Sequence, residues 1–135
     1  MRRGIVALTY CPLICGFITT KYDKNSTFPE NDFRNNWELY RHKENFERTQ
    51  ELFTSMREIA ENHDVSSAEV AINWLLKDKE VIPILGAKKR SQIESNIHAT
   101  QWRLSKDEIS RLNAITDNVE LNWDWFYKVS PKEDS

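Results

Sequence analysis

The chain has 135 residues, enough for one domain on the usual size relation, and its 39% hydrophobic and 30% charged content is that of an ordinary soluble fold. A formal net charge of −2 leaves no broad basic face, so nucleic acid is not an expected partner. No apolar run approaches the roughly 20 residues that cross a bilayer, so a membrane-spanning helix is not expected either.

Arg2 and Arg3 precede the apolar stretch Gly4-Ile5-Val6-Ala7-Leu8. The stretch is short, soon meets Pro12 and has no small-residue cleavage site after it, so it reads as a strand and not as a leader. Ile5 to Tyr10 is apolar and β-branched, as in a buried strand of a parallel sheet covered on both faces. Cys11 and Cys15 are too few for a disulfide framework and point to a reducing, cytoplasmic compartment. From about Thr19 to His42 the chain is polar, with Asn25, Ser26, Pro29, Asn31 and Asp32 and no clear period. A loop of this length is functional or disordered.

Helical periodicity starts near Glu44. Leu52, Met56, Ile59 and His63 recur at spacings of three and four, with Phe53 and Ala60 beside them, until His63-Asp64 breaks the pattern. Ser66-Ser67-Ala68-Glu69 is a capping box, followed by the apolar stripe Val70, Ala71, Trp74 and Leu75. Val81-Ile82-Pro83-Ile84-Leu85 is a second short strand, and its proline belongs at an end or irregularity of pairing. Ser91-Gln92-Ile93-Glu94 reads as a capping box opening a short helix through Ile97. Ser105-Lys106-Asp107-Glu108 opens another, with Ile109, Leu112 and Ile115 on one face. The polar tail from Asp117 carries Trp123, Trp125, Phe126 and Tyr127, which either line an apolar substrate pocket or pack the tail on the helices. Strands alternating with helices imply right-handed crossovers and a parallel sheet. Two strands do not make a self-sufficient core, so the pattern is that of part of something larger, or of a chain with an obligate partner.

Two segments carry chemistry. Tyr10-Cys11-Pro12-Leu13-Ile14-Cys15-Gly16 lies at the C-terminal end of the first strand, where α/β barrels place their sites. A tyrosine there offers a flat face to a flat ligand, and turn amides can meet phosphate oxygens. A buried aromatic followed by a proline turn fits the same residues. Gly86-Ala87-Lys88-Lys89-Arg90-Ser91 sets three cations at a helix N-terminus, an unfavourable place for them unless an anion binds there. Gln92 and Asn96, spaced i,i+4, share a helix face and offer two carboxamides to a base. A solvated basic loop before a surface helix is the plainer alternative. Cys11 and Cys15 as C-x3-C fall short of a zinc site, because His42, His63 and His98 are scattered.

These motifs resemble the aldo-keto reductase family. Gly4 to Gly16 is similar to its GI-x-x-x-x-YSPL-x-x-G segment, and Lys21-Tyr22 to the Lys-Tyr that follows. Glu58-Ile59-Ala60 and Val65 to Leu76 resemble its EIA and AQVAL-x-WLL helix pair. Val81 to Ala87 resembles VIPIPGA, and Asn96 falls at the asparagine of EN. The resemblance runs from about Gly4 to Ile115, nearest the branch of bacterial reductases and potassium-channel β-subunits.

The resemblance implies an α/β fold, the C-terminal portion of a (β/α)8 barrel with strands 7 and 8, as one partial domain over 1–135. It implies NADP as cofactor and a small aldehyde or ketone as substrate. It also implies roles by position. Tyr10 matches the aromatic that stacks on nicotinamide. Cys11, Pro12, Leu13, Cys15 and Gly16 match the turn along the pyrophosphate, and Lys21 and Arg34 match basic residues beside the phosphates. Gly86 and Lys88 match the adenosine 2′-phosphate loop, and Gln92 and Asn96 match contacts to the adenine end. The sequence departs from the pattern with Cys11 for the usual serine, Ser95 for glutamate and Leu85 for the common proline. The family's catalytic aspartate, tyrosine, lysine and histidine belong to earlier strands, and Tyr22, Tyr40 and Tyr127 do not stand in that motif. The expectation is therefore the cofactor-gripping part of a carbonyl reductase without its tetrad, inactive by itself, completed by an N-terminal half or by self-association. The alternatives are a non-catalytic nucleotide-binding or interaction module and a gene relic.

Overall fold

The computed structural model describes residues 4–122, so Trp123, Trp125, Phe126 and Tyr127 lie outside the described residues. The core is helical. In α3 (Gln50–His63), Leu52, Phe53, Met56, Ile59 and Ala60 fall on one buried face, as the three-and-four spacing predicts. That face packs against α4 (Ser67–Leu75) and α6 (Lys106–Thr116). Val70, Ala71, Leu104 and Leu112 complete the contact. Asp64 ends α3 in the left-handed region at φ 53°, and Val65 N–H donates to the Ala60 carbonyl at 2.9 Å. This is the closing bond of a Schellman end, built without glycine.

Two of the three expected capping boxes form. Ser66 Oγ accepts from Glu69 N–H at 3.2 Å while the Glu69 carboxylate accepts from Ser66 N–H at 2.9 Å. Ser105 and Glu108 repeat the exchange at 3.2 and 2.7 Å. The third does not form at Ser91. Helix α5 (Arg90–His98) starts two residues earlier, with Lys89 as N-cap, and Gln92 Oε1 accepts from the N–H groups of Lys88 and Lys89 at 2.7 and 3.1 Å. The longer Gln92 side chain reaches both orphan donors, leaving Ser91 inside the first turn.

The segment read as an aperiodic loop is partly helical. It holds a 3-10 turn at Phe33–Asn36 and a single α-turn, α1 (Glu38–Arg41), followed by α2 (Lys43–Arg48). Rings hold it down: Phe28 meets Tyr40 edge-on at 5.2 Å between centroids, and Phe17 meets Tyr40, Phe46 and Phe53 at 5.5, 4.8 and 5.5 Å. Buried Asn73 ties α4 to the start of α6, donating to the carbonyls of Ala99 and Trp102 at 3.0 and 2.7 Å and accepting from Leu104 N–H at 3.0 Å.

The strands β1 (Ala7–Tyr10) and β2 (Val81–Ile84) pair in parallel with Ala7 opposite Val81 and Tyr10 opposite Ile84. Pro83 stands inside the pairing, opposite Thr9, and not at its end. In the two-stranded sheet of the described residues every strand is an edge, so an absent N–H has an open side to face. Strand β2 packs against α4. The expectation of a sheet covered on both faces is not met within the described residues. Leu8, Tyr10, Ile82 and Ile84 share a face by register and alternation, and they are 63%, 57%, 51% and 54% exposed. Sequence pattern reports the apolarity of a strand face, and the residues that would cover this one are not among those described.

Candidate functional site

Because β1 and β2 run parallel and in register, the turn that begins at Cys11 and the loop that begins at Leu85 leave the same end of the sheet. The turn is tight. Ile14 N–H donates to the Cys11 carbonyl at 2.8 Å and Gly16 N–H to the Leu13 carbonyl at 2.9 Å. Cys11, Ile14 and Cys15 all take positive φ near 50°, which is uncommon for any side chain and an outlier for β-branched Ile14. Gly16 follows at φ 99°, and a Cβ there would lie 3.0 Å from Tyr22 Cε2. Tyr40 is buried and donates its hydroxyl to the Cys15 carbonyl at 3.1 Å, fixing the turn from below. Burial pushes the Tyr40 phenol well above its ordinary range, so this hydroxyl keeps its proton. Pro12 and Leu13 are half-buried, and Leu13 packs on the edge of the core. Tyr10 presents its ring at the strand tip, more than half exposed.

Arg34 reaches this end from the long segment. Its guanidinium forks onto Asp32 at 2.9 and 2.6 Å and lies over the rings of Phe28 and Tyr22, 4.1 and 5.0 Å from their centroids. The Arg34 hydrogen bonds hold the Asp32 carboxyl down at about 2, with the Lys88 charge adding to the effect. The charge of Arg34 also acts on Cys15. Arg34 thus acts on the turn after β1, while its partner Asp32 feels the charge of Lys88 in the loop after β2. Neither Asp32 nor Tyr40 was singled out from sequence, although an Asp-x-Arg pair and an aromatic in a polar run are visible there.

In the second loop, Gly86 and Lys88 are exposed, and a Cβ on Gly86 would meet nothing within 4 Å. Arg90 is paired with Glu94 at 2.7 Å. Asn96 is half-buried on α5, one turn beyond Gln92, whose carboxamide oxygen is engaged by the helix start. Lys21 shares the Tyr22 ring with Arg34. Its ammonium lies 5.7 Å from the Tyr22 ring, and it lines a cleft of about 560 Å³ with Lys24, Glu47, Gln50 and Arg57. None of the other eleven residues expected at the nucleotide lines that cleft. The parallel register therefore sets the turn after β1 and the start of the loop after β2 at one end of the sheet. His63 and His98 each pair with a glutamate, Glu108 at 2.9 Å and Glu69 at 2.6 Å, at helix ends.

The sequence model of the Aldo/keto reductase family matches residues 1–117. Aldo-keto reductase yakc [NADP(+)] of Schizosaccharomyces pombe is 33% identical over 120 residues, 88% of this chain and 35% of that protein. Aldo-keto reductase str7 of Strobilurus tenacellus is 27% identical over 122 residues, 90% of this chain and 36% of that protein. The glycerol dehydrogenase AKR11B4 of Gluconobacter oxydans superposes with a TM-score of 0.71 at 29% identity, covering 84% of this chain and 35% of that structure. The chain thus spans about a third of the length of the relatives it matches.

Proposed function

The chain belongs to the aldo/keto reductase family, and on that premise we propose that its two strand-tip loops grip the nucleotide of an NADP-dependent carbonyl reductase. The observation that carries this reading is the parallel register of Tyr10 with Ile84, which sets an exposed aromatic and a cationic helix start at one end of the sheet. The residues fit a dinucleotide phosphate. Lys88 and Lys89 bring cations to the start of α5, Arg34 stands near the turn after β1 with its fork held by Asp32, and the tight turn keeps backbone close to the strand tip. The name of the Schizosaccharomyces pombe relative, which includes NADP(+), supports the choice of cofactor.

When bound, the nicotinamide supplies hydride to a carbonyl carbon. The residues of this chain bind and orient. Tyr10 offers its ring to the flat nicotinamide, and the Cys11–Gly16 turn lies along the pyrophosphate. The Gly86–Lys88 loop takes the 2′-phosphate, and Gln92 and Asn96 face the adenine end. Lys21 joins the phosphates only if its segment closes over them. A reductase also needs an acid that protonates the forming alkoxide. Tyr40 does not serve, since its hydroxyl is donated to Cys15 and burial holds its proton. The proton donor is assigned to strands outside these residues. The same strands of a (β/α)8 barrel, of which β1 and β2 are strands 7 and 8, would cover Leu8, Tyr10, Ile82 and Ile84. The open apolar face also favours a second reading, a module that holds nucleotide or a partner protein without catalysis. The cytoplasm is the proposed location.

Titration with NADPH, following cofactor fluorescence, tests the proposal with the chain alone and with a family N-terminal half supplied in trans. Binding should weaken at least about tenfold in Tyr10→Ala, and aldehyde reduction should need the added half. Aldehyde turnover by the 135 residues alone that Tyr10→Ala abolishes would overturn the missing-acid reading.

A further inference from the structure

The sulfurs of Cys11 and Cys15 lie 3.0 Å apart, and both thiols are free. Cys15 is exposed and Cys11 half-exposed, so a small oxidant reaches the pair. The backbone already brings them together. The Cys11–Ile14 turn is closed by its 2.8 Å hydrogen bond, and both cysteines take left-handed φ, at 50° and 49°. Tyr40 pins the Cys15 carbonyl from the core side. Little movement separates this arrangement from a covalent bridge, which needs side chains that point at one another across a short span.

We propose that Cys11 and Cys15 form a redox-active dithiol that a peroxide closes into a disulfide across the turn after β1. The thiolate of one cysteine attacks the peroxide. An S–O bond forms, the O–O bond breaks, and one water leaves. The other cysteine then loses its proton and attacks the first sulfur. The S–S bond forms, the S–O bond breaks, and the second water leaves. Two thiols lose two electrons and two protons, and the peroxide is reduced to two waters.

Either sulfur can take the oxygen first, because each reaches solvent and its partner lies 3.0 Å away. This inference concerns the sulfurs alone and does not depend on nucleotide binding, so either can fail without the other.

The test uses the reduced full chain treated with a small excess of hydrogen peroxide, then intact mass, thiol titration and peptide mapping. The expected result is loss of two hydrogens, disappearance of both thiols, a bridge mapped within one molecule, and full recovery with dithiothreitol. Cys11→Ser and Cys15→Ser should instead gain oxygen or form dimers linked between molecules. Because mapping is done on the unaltered chain, it holds even where a serine variant folds poorly. Gain of oxygen without loss of hydrogen in the unaltered chain would overturn the proposal. So would a bridge only between molecules, or both thiols persisting under peroxide that oxidises free cysteine.

Discussion

The Tyr40 hydroxyl donates to the Cys15 carbonyl at 3.1 Å, joining the buried aromatic cluster to the tightest turn of the candidate site. Tyr40→Phe keeps the ring contacts with Phe17 and Phe28 but leaves that carbonyl without this donor. Loss of one such part-buried bond costs about 1–2 kcal/mol. The urea midpoint should fall with an unchanged slope, and the amides of Ile14 and Gly16 should exchange faster. An unchanged exchange rate at both amides would show that the turn holds itself.

Asp64 closes α3 in a left-handed conformation that suits glycine, and its charge stands at the negative end of the helix. Asp64→Gly removes both penalties. It should stabilise the chain by about 0.5–1 kcal/mol, less the added freedom of the unfolded state. Chemical denaturation of the two forms decides it, and a lower midpoint for the glycine variant would contradict the assignment.

Acid should loosen both capped helices. Burial pushes Glu69 and Glu108 up, but hydrogen bonds from Ser66 and His98, and from Ser105 and His63, outweigh it and leave both below their ordinary 4.5. A carboxyl lowered in the fold contributes stability that is fully present above its unfolded value. That contribution is lost as pH falls through the lower folded value. Stability followed by circular dichroism should therefore decline below about pH 4.5. Glu69→Gln with Glu108→Gln should flatten that decline, and an acid limb as steep as that of the unaltered chain would assign it to other carboxyls.

The helices were legible in sequence where local chemistry decides them. Ser66 and Ser105 each stand three residues before a glutamate and cap as read, and the α3 face follows its period. At α5 the side chain of Gln92, by reaching two donors at once, moved the N-cap from the expected Ser91 to Lys89. The segment from Thr19 to His42 was opaque because its order comes from rings far apart in sequence, Phe17 with Tyr40 and Phe28 with Tyr40. Periodicity cannot report such contacts. The strand-tip site was visible as two motifs, but their meeting depends on the parallel register, and the Arg34–Asp32 fork depends on a fold of the loop that no period announces.

The last prediction concerns cofactor choice, and it rests on the proposed nucleotide site. Lys88 is exposed at the start of α5, near enough to Asp32 for its charge to act on that carboxyl. A 2′-phosphate at this loop would gain charge-assisted hydrogen bonds and complement the positive end of the helix. NAD carries only a hydroxyl at that point. Arg90 is already paired with Glu94, and the offset of Lys88 from Gly86 matches the phosphate contact that the family resemblance implies, so Lys88 is the cation assigned to the phosphate. Lys88→Ala should weaken NADP binding about tenfold or more, since a hydrogen bond to a charged group contributes roughly 1.5–3 kcal/mol. NAD binding should stay nearly unchanged. Calorimetric titration of both nucleotides against both forms, completed by an N-terminal half, measures the difference. Asp32→Asn separates the two roles open to Lys88. If the lysine reads the phosphate, freeing it from the carboxylate should tighten NADP and leave NAD alone. If it only braces the loop against Asp32, both substitutions should weaken the two nucleotides equally, and the phosphate assignment would be lost.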